Sequence, residues 1–288
     1  MKIGVRCGPL RLKSNLPALL EWLAANGFTS VDLGAPERDT AALCRSLGLE
    51  PGSVDLPGAG QLLAREPERR IAAIRQVCEG IRQAADLGLR TWFVCFVPED
   101  RERSRQELFE LWRRVMPEVV GCLEQAGMRL AMEGWPGGGP QYPTLGCTPE
   151  VWRAMFAAIP SAALGLCFDP SHLVRLGVDY RRVLKEFGPR VHHVHGKDCA
   201  IDAEELYRSG RMPPAFGSPR FACSEGWWRY CIPGDGEVCW REVAVALEAV
   251  GYDGVVSVEL EDGLYMTDDE GNRRGLLAAL KHLRDAWR

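Results

Sequence analysis

Imidazole groups cluster in one short stretch of this sequence. Three of the five histidines in the 288-residue chain fall within eight consecutive positions, Val191 to Asp198 (VHHVHGKD). Read as a β-strand, the stretch places His193 and His195 on one face, because successive side chains of a strand alternate between its two sides. A further histidine, His172, follows a strand-like run that ends at Asp169. Histidines beside a carboxylate at strand ends favour a metal site.

Four candidate metal ligands end apolar runs of this kind, on elements separated by helical sequence. They are Glu133, Asp169, His195 and Glu259. Three carboxylates and one imidazole form a mostly hard donor set, which suits Mn²⁺ best and also accommodates Mg²⁺, Co²⁺ or Zn²⁺. Four protein ligands leave two positions of an octahedron open. We therefore expect one divalent cation, with room for two neighbouring oxygens of a substrate, a carbonyl and a hydroxyl.

The elements that must position these residues alternate between strands and helices along the chain. Strands are predicted over residues 2–7, 28–33, 52–56, 91–97, 128–133, 163–169, 191–195 and 254–259. Helices are predicted over residues 16–26, 39–47, 66–87, 103–126, 149–159, 180–187, 240–250 and 272–287. Continuous apolar strands between helices belong to a covered parallel sheet. Eight such units favour an α/β fold, a (β/α)8 TIM barrel that forms a single domain over residues 1–288, over an open doubly wound sheet.

In such a barrel the carboxyl ends of the strands converge on one mouth. The four candidate ligands come from consecutive strands, the fifth to the eighth, so they can meet there. Two positions before each ligand the residue is small or polar, which fits side chains that face the barrel interior. These residues are Ala131, Cys167, His193 and Ser257. Long loops after the fifth and seventh strands, residues 134–147 and 199–239, would lie over the same mouth.

The composition and net charge of the chain argue against several classes of protein. With 46% hydrophobic and 26% charged residues, the chain fits a soluble globular protein. No apolar run approaches the roughly 18 residues that a membrane span needs, so a cytoplasmic location without membrane contact is expected. The net charge of −4 supplies no basic surface for a nucleic acid. The 11 cysteines are scattered, odd in number and without a Cys-x-x-Cys pair, which argues against a disulfide framework. Homo-oligomerisation is left open.

Five motifs occur in order along the chain. They are AMEGWP (131–136), FDPSHL (168–173), HVHGKD (193–198), IPGDGEVCW (232–240) and GYDGVVSVELED (251–262). Together they resemble the sugar phosphate isomerase/epimerase proteins of the xylose isomerase-like TIM barrel superfamily, over essentially the whole chain. The resemblance implies that the four candidate ligands hold a metal and that Glu133 and Glu259 form the catalytic acid/base pair. It also places His172 and Lys197 where relatives contact the substrate or orient ligands.

Three other residues are weaker candidates for substrate contact. The chain has EGWP where many relatives have Glu-Asn-x-Pro, so contacts at Trp135 need not carry over, although its ring could stack on a sugar face. His193 is equally compatible with substrate contact and with packing or support of a ligand. Arg229, in the second long loop, is a candidate contact for an anionic group.

These residues suit proton transfer beside a carbonyl of a small sugar. A divalent cation stabilises the enediolate, and a glutamate exchanges the proton. Return of the proton to the same carbon gives epimerisation, and return to the neighbouring carbon gives aldose/ketose isomerisation. The alternatives are a metal-dependent lyase or hydrolase of keto-glycosides, an apurinic-site endonuclease and a non-catalytic sugar-binding barrel. Five histidines and the negative charge argue against the endonuclease, and the intact ligand set argues against a barrel without catalysis.

Overall fold

Eight parallel strands close into a barrel at the centre of the computed structural model, which describes residues 1–139 and 141–288. Two further strands pair as an antiparallel hairpin outside the barrel. The strands are β1 Lys2–Arg6, β2 Ser30–Leu33, β3 Glu50–Asp55, β4 Thr91–Val94, β5 Arg129–Glu133, β6 Leu164–Phe168, β7 Val191–Gly196, β8 Asp198–Ile201, β9 Trp228–Cys231 and β10 Val255–Val258. Around the barrel the order is β1-β10-β7-β6-β5-β4-β3-β2. The prediction of a (β/α)8 barrel is confirmed.

Helices follow the barrel strands in the order that the sequence predicts. They are α1 Leu16–Ala25, α2 Arg38–Ser46, α3 Pro67–Asp86, α4 Arg105–Gln125, α5 Pro149–Ala158, α6 Pro170–Leu176, α7 Tyr180–Phe187, α8 Ala203–Ser209, α9 Trp240–Ala249 and α10 Asp269–Ala286. The short helices α6 and α8 were not predicted. Among the described residues, no helix combines the length and apolar character that a bilayer crossing requires.

Capping side chains explain why several helix ends agree with the sequence. The side chain of Asn15 accepts a hydrogen bond from the Ala18 N–H at the start of α1. Ser104 and Glu107 form a reciprocal capping box at the start of α4. Gly27, after the end of α1, has a φ of 84°, a left-handed conformation that glycine adopts without steric cost. These signals are local, so they could be read without knowledge of the fold.

The β8-β9 hairpin occupies part of the region that the sequence predicts as a long loop after the seventh barrel strand. The fully buried carboxylate of Asp198 ties this hairpin to the start of α9. It accepts hydrogen bonds from the backbone N–H groups of Cys199 (2.8 Å), Gly234 (3.2 Å) and Val238 (3.0 Å) and from the Trp240 indole (3.2 Å). The hairpin is therefore a fixed part of the scaffold at the end of β7.

One disulfide bond joins two neighbouring helices. Cys78 of α3 and Cys122 of α4 are 44 residues apart in sequence, and their Cα atoms lie 5.7 Å apart. The other cysteines of the chain are free. The expectation that no disulfide framework exists therefore has one exception, which depends on the packing of two helices rather than on a cysteine motif.

Candidate metal centre and active site

The four candidate ligands meet at the carboxyl ends of β5, β6, β7 and β10. Glu133 is the last residue of β5, Asp169 follows β6 and caps α6, His195 lies in β7, and Glu259 follows β10. One donor atom of each lies within 4.8 Å of the donor atoms of the others. At most 6% of the surface of each residue is exposed. The structure thus brings together the residues that the sequence predicts to converge.

Three carboxylates face a single ring nitrogen of His195. Its Nδ1 is 2.5 Å from Glu133 Oε1, 3.4 Å from Glu259 Oε2 and 3.9 Å from Asp169 Oδ2. The Asp169 Oδ2 atom is buried and lies 3.1 Å from Lys197 Nζ, but it accepts no well-aligned hydrogen bond from the described residues. Buried carboxylates this close repel one another unless a positive charge lies among them. The donor set therefore fits a divalent cation held by these four side chains.

Both glutamates of the centre are held in the ionised form. Burial favours the neutral acid, but the imidazoles of His195 and His172 keep the pKa of Glu133 well below its usual value. Burial likewise opposes ionisation of Glu259, but Lys197 and His195 lower its pKa far below the usual value. Both side chains are therefore carboxylates at neutral pH, the state that a metal ligand or a general base requires.

Lys197 is a buried cation among these carboxylates. Its Nζ lies 2.5 Å from Glu259 Oε2, 3.0 Å from Glu261 Oε2 and 3.1 Å from Asp169 Oδ2. Burial alone would lower the pKa of this lysine, but Asp169, Glu259 and Glu261 raise it well above its ordinary value. Lys197 is therefore charged and contacts two of the four candidate ligands, which agrees with a role in orienting them.

Arg6 adds a second cation, which the sequence analysis did not identify. Its Nε donates to Glu259 Oε1 over 3.0 Å, and an NH1 hydrogen bond of 2.8 Å reaches Asp55 Oδ1. The guanidinium also lies 4.1 Å from the centre of the Phe93 ring. Strand alternation could have indicated this position of Arg6. Gly4, two residues earlier in β1, faces the barrel interior, so the side chain of Arg6 points inward as well.

One ring nitrogen of His172 lies beside the candidate ligand carboxylates, and the other contacts the β8-β9 hairpin. Its Nε2 is 3.3 Å from Asp169 Oδ2 and 3.7 Å from Glu133 Oε2. Its Nδ1 is 2.7 Å from the hydroxyl of Tyr230 in β9. Tyr230 lies 58 residues away in sequence, so no local pattern connects the two side chains.

His193 is linked to His195 through the carboxylate of Asp32. Its Nε2 is hydrogen-bonded to Asp32 Oδ2 over 2.8 Å, and Asp32 Oδ1 accepts the Ser53 N–H, also over 2.8 Å. The same Oδ2 lies 3.8 Å from His195 Nε2. His193 also lines a cavity of about 430 Å³ at the opposite end of the barrel, whose lining includes none of the four candidate ligands. Of the two interpretations of His193, this position favours support of a ligand over substrate contact.

Trp135 and Arg229 lie on the two segments above the mouth. Trp135 is half-buried in the loop after β5, in which residue 140 lies outside the described residues. Arg229, in β9, has its NH1 3.4 Å from Asp262 Oδ1 and its guanidinium 5.4 Å from the centre of the Phe221 ring. The ion pair with Asp262 offsets the charge that Arg229 would offer to an anionic group. Substrate contacts by Trp135 and Arg229 stay predictions.

Comparison with known families agrees with the motifs in the sequence. A family model described as a xylose isomerase-like TIM barrel matches residues 20–286. The chain belongs to this family. The resemblance drawn from the five motifs is therefore confirmed.

Two solved structures share the fold of this chain at low sequence identity. D-psicose 3-epimerase from Clostridium cellulolyticum H10, solved with D-tagatose, gives a TM-score of 0.74 at 14% identity over 100% of both chains. The IolI protein with a bound zinc atom gives 0.74 at 17% identity, over 100% of this chain and 98% of that one. At these identities the likeness shows the fold alone.

Sequence relatives among curated proteins match a shorter part of this xylose isomerase-like chain. The inosose dehydratase of Geobacillus thermodenitrificans is 35% identical over 114 residues, which are 40% of this chain and 36% of the dehydratase. The chain thus spans little more than a third of the length of the first curated relatives that it matches.

Proposed function

We propose that this protein is a divalent-metal-dependent isomerase or epimerase that moves a proton beside the carbonyl of a monosaccharide or modified sugar. The observation that carries the proposal is the buried convergence of Glu133, Asp169, His195 and Glu259, with both glutamates ionised. A bound divalent cation, for which Mn²⁺ is our expectation, would stabilise the negative charge that develops on the substrate oxygen.

The positions of the two glutamates, on strands separated by two others in the barrel, support an acid/base role for the pair. Glu133 comes from β5 and Glu259 from β10, and two strands lie between these in the barrel: β7 with His195 and β6, which ends just before Asp169. One glutamate takes the proton from the carbon beside the carbonyl. Return by the same glutamate to the neighbouring carbon, together with transfer of a proton from the hydroxyl oxygen to the former carbonyl oxygen, completes an isomerisation. Epimerisation instead requires the opposite glutamate to carry a proton to the other face.

Two cations hold Glu259 in place during such a step. Lys197 contacts its Oε2 and Arg6 contacts its Oε1, so both carboxylate oxygens have a charged partner. Glu133 instead contacts His195 and the thiol of Cys95, whose Sγ is 3.1 Å from Glu133 Oε2. The two carboxylates therefore have different surroundings, which suits a pair that takes different roles in turn.

Hydrogen exchange with solvent tests the proposal. Protein whose metal content has been measured by elemental analysis is loaded with Mn²⁺ and incubated with free ketoses in D₂O, and deuterium on carbon is measured by mass spectrometry. Glu133→Gln and Glu259→Gln should each slow exchange by about 10²–10⁴-fold, because a positioned acid or base is lost. Glu242→Gln changes an exposed glutamate of α9 and is the matched control. Absence of exchange with every ketose, in protein that carries the metal, would count against the proposal.

A metal-dependent lyase is the second candidate. The ammonium of Lys197 and the Nε2 of His172 lie beside the same carboxylates, so the site offers donors that could protonate a leaving oxygen. In that reaction a glutamate removes the proton beside the carbonyl, the enediolate expels the β-oxygen substituent, and that oxygen takes a proton and leaves as water or an alcohol. The similarity to an inosose dehydratase supports this candidate. Loss of water from a ketose, or release of the aglycone from a keto-glycoside, would distinguish it from exchange without loss of mass.

A further inference from the structure

Behind His172, a series of hydrogen bonds leads away from the candidate metal centre. Arg175 NH1 donates to the Tyr230 hydroxyl over 3.1 Å, and this hydroxyl is 2.7 Å from His172 Nδ1. Arg175 is itself held by Glu225 Oε1 at 2.7 Å and by the Gly137 carbonyl at 2.8 Å. His172, Tyr230 and Arg175 are buried, so water does not compete with the contacts among them, whereas the Glu225 side chain is 19% exposed.

Arg175 determines the direction of the hydrogen bonds, because a guanidinium has donors only. The oxygen of Tyr230 therefore accepts from Arg175, and its O–H is left to donate to His172 Nδ1, since no other acceptor among the described residues bonds to this hydroxyl. Burial raises the pKa of the Tyr230 phenol well above its ordinary value, so the O–H is present at neutral pH. A ring nitrogen that accepts carries no proton, which leaves the proton of His172 on Nε2.

The Nε2 atom of His172 lies near the carboxylates of the candidate ligands but makes no hydrogen bond with them. Its distances of 3.3 Å to Asp169 Oδ2 and 3.7 Å to Glu133 Oε2 are long for a hydrogen bond. It is a buried polar atom without a hydrogen-bond partner among the described residues. Buried donors are nearly always paired in proteins, so an unpaired one beside an active site suits a ligand that completes it.

We propose that Tyr230 and Arg175 are positioning residues that keep the proton of His172 on Nε2. The family resemblance already implies substrate contact by His172, and this tautomer would let its Nε2 donate to a carbonyl or hydroxyl oxygen of the sugar. The contact with the sugar rests on the proposed function, whereas the position of the proton does not. Arg175 also bonds Gly137, in the loop after β5, and Glu225, just before β9. Docking of both segments therefore sets the orientation of the His172 donor.

NMR of protein labelled with ¹⁵N-histidine tests the position of the proton without turnover. The chain has five histidines, and a His172→Asn sample identifies the His172 signals by their loss. In Zn²⁺-loaded wild-type protein we expect an unprotonated Nδ1 and a protonated Nε2. Tyr230→Phe removes the O–H donor and should give a mixture of the two tautomers. Arg175→Lys keeps a donor to the Tyr230 oxygen and should retain the wild-type pattern.

Kinetics separate positioning from general stability. Tyr230→Phe should lower kcat for proton exchange by about tenfold and change KM by less than about twofold, because the oriented donor matters most in the transition state. Tyr252→Phe is the matched control. It also removes a hydroxyl hydrogen bond, to the Val255 carbonyl at 2.7 Å, but Tyr252 lines the cavity at the other end of the barrel. The control should keep both the His172 signals and kcat.

The outcomes distinguish this inference from the proposed function. A protonated Nδ1 in the wild type overturns the assigned tautomer, and a Tyr230→Phe spectrum that matches the wild type overturns the role of Tyr230 in fixing it. If the tautomer is as expected but no sugar is turned over, the proposed function fails and the hydrogen-bond assignment stands. If sugars are turned over and Tyr230→Phe keeps the wild-type kcat, the positioning role fails and the proposed function stands. Should Tyr230→Phe not fold, Arg175→Met supplies the same test through loss of the donor to Tyr230.

Discussion

Replacing Lys197 by methionine should strengthen the binding of a divalent cation and lower the stability of the metal-free protein. In the wild type the ammonium contacts Glu259 Oε2 at 2.5 Å and Asp169 Oδ2 at 3.1 Å, two oxygens that a cation in the centre would share. Two unit charges about 5 Å apart interact by about 3 kcal/mol at an effective dielectric constant of about 20, so Lys197 opposes the cation by at least that order. Loss of one partner of a buried ion pair also costs the metal-free protein about 3–5 kcal/mol.

Thermal unfolding in chelator and in excess Mn²⁺ measures both effects. The stabilisation by metal should be about 3 kcal/mol larger in Lys197→Met than in the wild type, which corresponds to a difference of roughly 5 °C in the metal-induced shift of Tm. Lys185→Met changes an exposed lysine of α7 and is the matched control. Equal metal-induced shifts in Lys197→Met and the wild type would refute the reasoning, because the ammonium and the cation would then not share these carboxylates.

Three other perturbations test the surrounding scaffold. Asp198→Ala leaves buried N–H groups without an acceptor and should lower the free energy of unfolding in urea by about 3 kcal/mol; a loss below about 0.5 kcal/mol would contradict the structural role. Cys78→Ala should lower the free energy of unfolding by about 2–4 kcal/mol in oxidising buffer. If the bond to Cys122 is the cause, the difference from the wild type should vanish in reductant. Because the folded-state pKa values of Glu133 and Glu259 lie below the unfolded value of about 4.3, their contribution is complete above that pH and is lost as pH falls towards the folded values. Metal-free protein, prepared with a chelator and titrated with acid, should therefore lose stability below about pH 4. The loss should be smaller in Glu133→Gln, and an equal dependence of stability on pH in the variant and the wild type would contradict this explanation.

The convergence of the ligands was predictable because each stands at the end of an apolar run. Glu133 and Glu259 close strands whose alternation turns them inward, and the parallel barrel then brings the strand ends to one mouth. Asp169 was found for the same reason, although the helix α6 that begins directly after it was missed. Seven residues with a proline at the first position give too short a periodic pattern to distinguish a helix from a loop.

The partners that tune the ligands could not be predicted from local pattern. Arg6 meets Glu259 across 253 positions, and the His172 contact with Tyr230 depends on a hairpin whose two strands lie far apart in a region without regular periodicity. The bond between Cys78 and Cys122 depends in the same way on how two helices pack. Periodicity reports which face of an element is buried, but it does not report which distant side chain lies against that face.

The order in which the donors occur along the chain has a consequence for the nascent protein. Glu133, Asp169 and His195 are made first, and Glu259, just after the last strand of the barrel, follows Glu133 by more than a hundred residues. At roughly 5–20 residues per second, a ribosome needs at least about 5–20 s between the first donor and the fourth. During that interval the emerging chain has only three of the four candidate ligands, so a cation held by all four would bind at the end of synthesis rather than during it.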